Sequence, residues 1–408
     1  MSDPAKLQLL TRSPDESGFD IFEIDSNQAY SGFKPQRLPE TEWELMRQPL
    51  GADGTRHFVL KNLRKDRYLL LSADEHFLWE HFDGRNSLDE IARAFHLEFG
   101  AFDYSLIRQF LTKLYHARLI EDHQARVPER DFVTPQTRSR THLLRQVFNA
   151  SRRFAVRTYK ADRYCSTLYR CGGFVLFHPI TLCAVAAIAM AALAAAYRLA
   201  AHSLDFARLL SAQPLLSASI ILFTLLMASM LHVLVHALAC KSHGRRVREM
   251  GFFLLQGVLP TFYADVTDIF MSNRRARLMV DLAGPMVEVL FGSLAMLTAY
   301  LSSPGIDQAL LFGIGILLWE SALINLYPFS FLELDGYNIL ADLMAMPMLR
   351  KQALALTPHL PRRLRNIRSI QRAEIIQIGY LTLCLVSVLV YLGLHLDAIS
   401  ALLPFEWR

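Results

Sequence analysis

The chain has 408 residues, of which 52% are hydrophobic and 20% charged, and its mean hydropathy is +0.21. These values argue against a purely cytosolic globule. Its 43 basic and 38 acidic side chains leave a modest +5, and the five cysteines lack the paired spacing of a disulfide framework. Apolar residues are unevenly spread: residues 1–170 read as ordinary soluble protein, whereas 172–398 hold several runs long enough to span a bilayer.

In chain order, the opening MSDPAKLQLL lacks a basic-then-apolar signal, so the first 170 residues are expected in the cytoplasm. Residues 1–54 form an N-terminal extension without a readable motif. Residues 55–122 are denser in signals. Stretches 57–61 and 67–71 read as a short hairpin. Ser72 with Glu75, and Ser87 with Glu90, are capping-box starts for two helices separated by the turn Asp83-Gly84. Leu88, Ile91, Ala92 and Phe95 mark the apolar face of the second helix; Leu106, Ile107, Phe110, Leu111 and Leu114 mark that of a third, before a strand at 117–121. Strands plus three helices predict an α+β winged-helix domain. Arg108 and Lys113 are the third helix's only cations, which argues against base reading and a nucleic-acid partner.

The pattern Leu71-Ser72, Phe82-Asp83-Gly84, Ser87 to Ile91 and Leu114 to Ile120 resembles the peptide-recognition winged helix of ribosomal peptide-modification systems, related to the pyrroloquinoline-quinone peptide chaperone. The resemblance implies a leader peptide held as an added strand at the sheet edge. The alternative is a regulatory domain without a ligand.

Segment 123–171 is a basic linker, with eleven Arg and Lys against three acids between Arg126 and Cys171. It reads as a juxtamembrane stretch against anionic headgroups, which makes the lipid bilayer a partner. Beyond it, 172–398 form a mainly α, polytopic core with five spans at about 174–200, 213–240, 278–302, 309–328 and 374–398. The stretch 250–264 is short and interrupted by Gly257 and Pro260, and is expected to re-enter without crossing. Basic residues fall before the first, third and fifth spans and after the second, while 201–212 and 303–308 are nearly free of them. The positive-inside rule then puts the N-terminus inside a multi-pass protein of the inner, cytoplasmic membrane, ending in a tail at 399–408.

The second span carries His232 and His236. At i and i+4 they lie about 40° apart around a helix axis, so both imidazoles leave one face and can share a metal. Ionisable side chains within a bilayer are costly and usually functional. Asp335, just beyond the fourth span, matches the histidines in depth. Two imidazoles and a carboxylate form the ligand set of a catalytic-type zinc site.

The paired histidines, GRRVREMG at 244–251, Ala283-Gly284-Pro285, and Asn325, Pro328 and Leu334-Asp335-Gly336 together resemble the site-2 protease family of intramembrane zinc metalloproteases. The run Phe262 to Asp268 is similar to the branch of peptide zinc metalloproteases found in bacterial peptide-processing clusters. The resemblance covers about 170–398. That family's helix reads His-Glu-x-x-His, in which the glutamate accepts a proton from zinc-bound water; here the position is Val233. Glu249, Asp265, Asp268, Glu288 and Glu320 are either candidate stand-ins or partners of nearby arginines, with Asp265 the preferred substitute. Cys240 and His243 are either supplements to the metal site or ordinary packing and interface residues.

The sequence therefore reads as a zinc-binding, catalytically impaired homologue of site-2-type metallopeptidases. Its expected partner is a peptide, in particular a leader-bearing precursor, alongside a peptide exporter or modification enzyme. The alternatives are an active intramembrane metallopeptidase with a substitute base, and a metal-free structural subunit of a peptide export or maturation complex.

Overall fold

Two serines start helices in the N-terminal half. The amide of Ser72 donates to Glu75 Oε2 at 3.2 Å at the head of α1 (Ala73–His81). The amide of Ser87 donates to Glu90 at 2.7 Å, and Glu90 N donates back to Ser87 Oγ at 3.4 Å, at the head of α2 (Leu88–Phe99). Each reciprocal cap satisfies amides that a first helical turn leaves unpaired. The computed structural model describes residues 7–12, 19–24, 34–100, 104–120, 156–255, 259–360 and 371–394. Within it the chain separates into one unit of residues 1–50 and 55–136 and another of residues 51–54 and 137–408.

The first unit contains a hairpin of β1 (Leu7–Arg12) and β2 (Phe19–Ile24). It also holds a three-stranded antiparallel sheet in the order β3 (Trp43–Leu50), β4 (Arg56–Asn62), β5 (Arg67–Leu71). Helices α1, α2 and α3 (Tyr104–Ala117) follow. Leu60, Leu71, Trp79, Ile91, Phe110 and Leu114 are buried in one core, each side chain contributing roughly 1.5–3 kcal/mol of hydrophobic stabilisation. The hairpin at 57–61 and 67–71 forms as its alternation predicts. Three features differ from the sequence reading, the first being the β1–β2 hairpin within the extension expected to carry no motif. Trp43–Leu50, expected in a featureless extension, is a sheet strand anchored by Trp43 edge-on against Trp79, with centroids 5.4 Å apart. The strand expected at 117–121 reduces, among the described residues, to a bridge between Ile120 and Arg37. Arg118, at φ 55°, breaks the extended run there.

In the second unit, β6 (Val156–Thr158) and α4 (Ala161–Arg170) lead into α5 (Pro179–Leu199). Then come α6 (Ser203–Ala212), α7 (Pro214–Ser242), α8 (Arg274–Leu301), α9 (Ile306–Leu326), α10 (Asp335–Met344), α11 (Leu349–Leu356) and α12 (Arg372–Leu394). Five helical stretches are long and apolar enough to cross a membrane, at 179–212, 214–242, 274–301, 306–326 and 372–393, as a mainly α, polytopic protein requires. The connection expected at 201–212 is helical, continuing α5 through a 3-10 turn into α6. Residues 126–153 of the basic linker and 399–408 of the tail lie outside the described residues.

Within 250–264, β7 (Met250–Leu255) and β8 (Leu259–Ala264) pair antiparallel, with β6 added on the β7 side, and Gly257 lies outside the described residues. Strand pairing satisfies the strands' backbone groups, which an apolar setting demands. Helix α8 is the central span: half of its most apolar window is buried, against 11–28% in the other four. It meets α9 where two glycines face each other. A Cβ on Gly315 would lie 3.0 Å from the Gly292 carbonyl oxygen, so small residues permit the close crossing.

Candidate metal centre

Helix α7 projects His232 and His236 toward α8 and the start of α10. His232 Nε2 lies 3.2 Å from Asp335 Oδ2, and His236 Nε2 lies 3.5 Å from Asp335 Oδ1. The two Nε2 atoms are 2.9 Å apart. Among the described residues, this is the group of three or more His, Cys, Asp or Glu whose ligand atoms fall within 4.8 Å of one another. All three side chains are 12–16% exposed, so the cluster is shielded without being sealed.

Two glycines make the convergence possible. A Cβ on Gly284 would lie 2.4 Å from both Nε2 atoms, so α8 approaches the imidazoles where a methyl group has no room. A Cβ on Gly336 would lie 2.2 Å from the Leu326 carbonyl oxygen. The first turn of α10 is thereby seated against the end of α9, which fixes Asp335 beside the histidines.

The Nδ1 atoms decide the chemistry of the Nε2 atoms. His236 Nδ1 lies 2.6 Å from the Val280 carbonyl oxygen, which only accepts, so the ring proton sits on Nδ1. His232 Nδ1 lies 3.0 Å from Glu288 Oε1. Glu288 is buried and also receives hydrogen bonds from Ser321 Oγ at 3.1 Å and Asn325 Nδ2 at 3.2 Å. With Nδ1 protonated in both rings, two Nε2 lone pairs and a carboxylate converge within 3.5 Å. Such a group is repulsive unless a cation lies among the atoms, either a metal ion or an extra proton on a ring. The donors are those that zinc takes, and they fit it.

The other candidate residues lie in different surroundings. Val233 follows His232 on α7 and offers no proton acceptor. Asp265 Oδ2 pairs with Arg248 Nη1 at 3.0 Å, and its Oδ1 accepts from the Thr267 amide and hydroxyl at 3.1 and 2.6 Å. The carboxylate preferred as a stand-in base is thus engaged at the end of β8. Buried Asp268 accepts from the Arg246 amide, Glu249 accepts from the Tyr263 hydroxyl, and Glu320 is exposed on α9. Cys240 Sγ donates to the Arg246 carbonyl, and His243 closes the end of α7.

One acid escaped the sequence reading. Asp281 shares a stripe of α8 with Arg277, Gly284 and Glu288, at spacings of four, three and four residues. Its electrostatic neighbours are Asp342, Asp335 and Arg277. Arg277 Nε pairs with Asp342 at 2.8 Å. Among the described residues Asp281 takes no hydrogen bond. The signal was present in that spacing, but its meaning depends on α10, which no local pattern brings alongside.

A second polar node holds the site's surroundings in place. Asp162 on α4 receives Lys241 Nζ at 2.8 Å and the Val247 amide at 2.9 Å. Burial works to raise its carboxyl, but these two donors outweigh that and hold it below the usual carboxylate range. Cys165 Sγ, one turn further along α4, lies 3.4 Å from Met250 Sδ on β7.

Over 129 residues, 31% of its length, the chain is 30% identical to a Bacillus subtilis (strain 168) protein described as "Putative peptide zinc metalloprotease protein YydH". The match spans 48% of that relative, about half its length. No family model matches the chain. No solved structure matches it.

Proposed function

We propose that this multi-pass membrane protein holds zinc through His232, His236 and Asp335, and that it captures a peptide at the membrane in a site disarmed for hydrolysis. The observation that carries the reading is the convergence of two Nε2 lone pairs and a half-buried carboxylate within 3.5 Å, behind a glycine that leaves them room. Zinc supplies Lewis acidity in such a site. Positioning belongs to the chain: Val280 and Glu288 orient the rings, and Gly336 seats Asp335. What the chain does not supply at position 233 is a proton acceptor, and loss of a positioned base costs 10²-fold or more, on the order of its usual contribution. The similarity to a zinc metalloprotease supports the metal, and Val233 supports the impairment.

The peptide partner rests on the first unit. A three-stranded antiparallel sheet followed by three helices is what a peptide-recognition winged helix requires, with β3 and β5 at its edges. A leader-bearing precursor would add a strand there, retained in the cytoplasm by a protein of the inner membrane that works beside a peptide exporter or modification enzyme.

The test is the zinc content of the detergent-purified full chain. About one zinc per chain, lost in His232→Ala and Asp335→Ala, is expected; no zinc in the wild type overturns the reading. Val233→Glu then separates a disarmed site from a drifted one, since a gain of peptide cleavage shows that only the base is missing. Asp281 favours a second reading, an active peptidase with a substitute proton acceptor, because it takes no hydrogen bond among the described residues and shares a helix stripe with Gly284, which abuts both imidazoles, and Glu288. Cleavage by the wild type that disappears in Asp281→Asn would select it.

A further inference from the structure

We infer that Glu288 is the positioning carboxylate of this site, a charged anchor that orients His232 and sets how tightly the metal is held; the inference rests on the zinc reading above. The two imidazoles are bonded unequally. His236 gives its Nδ1 proton to a neutral backbone carbonyl, that of Val280. His232 gives its proton to a carboxylate that is 5% exposed and lies on the central span. A charge-assisted bond of this kind is about twice as strong as a neutral one, and it raises the basicity of the opposite nitrogen.

Glu288 is fixed from the far side as well. Ser321 and Asn325, four residues apart on α9, both donate to it, and the glycine crossing of Gly292 and Gly315 holds α9 against α8 one turn away. The chain from metal position to scaffold therefore runs His232, Glu288, Ser321 and Asn325, and it crosses three helices. Charge points the same way. Asp335 and Glu288 bring two carboxylates to two imidazoles in a span region, and among the described residues no Lys or Arg pairs with either. The negative charge of these two carboxylates is offset by a divalent cation.

The experiment compares wild type, Glu288→Gln and His232→Ala as full-length detergent-purified protein. It measures zinc affinity by chelator competition, the visible spectrum of the cobalt-substituted form, and the melting temperature of the metal-stripped form. Glutamine keeps the shape and an acceptor oxygen but removes the charge. The expected result is zinc affinity lowered by on the order of 10–100-fold, a shifted cobalt spectrum and an unchanged melting temperature without metal, whereas His232→Ala abolishes binding. Wild-type affinity and spectrum in Glu288→Gln would overturn the assignment, as would a loss explained by a lower melting temperature of the stripped protein. A wild type that holds neither metal overturns the zinc reading itself, and this failure is recognisable because it precedes any substitution.

Discussion

The helix starts of the first unit and the spans of the second secure their polar groups over different distances along the chain. In the first, Ser72 meets Glu75 and Ser87 meets Glu90, each three residues on. In the second, His232 reaches Glu288 across 56 residues, Glu288 reaches Asn325 across 37, and Arg277 reaches Asp342 across 65. The Ser87 cap is exposed and the Ser72 cap partly so, and at such helix ends a local cap is sufficient. A span interior offers no water, so hydroxyls such as Thr224 and Ser293 bond back to their own helix, whereas the ionisable side chains His232, Arg277 and Glu288 find partners on another helix. Local pairs therefore stabilise one helix at a time, whereas distant pairs tie the placement of several helices to one another.

Substitutions that break a distant pair should cost most. Arg277→Met leaves the half-buried Asp342 without its partner and is expected to destabilise the second unit by about 3–5 kcal/mol, read from thermal unfolding in detergent. Adding Asp342→Leu should recover much of that loss; a double variant as weak as the single would mean that the pair matters for packing and not for charge. Gly336→Ala places a methyl group against the Leu326 carbonyl. It should cost about 1–3 kcal/mol and release the metal, because Asp335 moves with its helix. Zinc retained at the wild-type level would show that α10 has slack. Ser87→Ala, by contrast, should cost about 1 kcal/mol. Faster amide hydrogen exchange confined to α2, with zinc content unaltered, is the expected signature.

The smallest effect belongs to Asp162, whose carboxylate is partly exposed. Asp162→Asn should cost less than about 1 kcal/mol at neutral pH. Because the folded carboxyl titrates below its ordinary value, its contribution is complete above about pH 3.9. It fades as pH falls through the lower folded value, so variant and wild type should converge once the pH lies below that value. A gap that persists in acid would assign the contact to packing.

The same contrast explains what could be read from residues alone. The capping serines, the hairpin and the five apolar runs each announce themselves within a few residues. The i and i+4 spacing of His232 and His236 places them on one face, and Asp335 follows from its depth at a span end. Glu288 was visible only as an acid in a span, with no indication that it serves His232. Asp281 passed unnoticed because its neighbours come from α10. Trp43–Leu50 was missed since its alternation is weak and its strand character comes from pairing with β4 and from the ring of Trp79.

The segment entering the membrane unit has a mechanical consequence. Residues 156–158 are stitched to the edge of the β7–β8 hairpin, and the next helix is fastened by Asp162 to Lys241 and Val247, at the end of the helix that carries both histidines. A pull on the chain ahead of Val156 is therefore borne by three strand residues and one ion pair before it reaches the first span. It loads the hairpin and the end of α7 before it reaches α5.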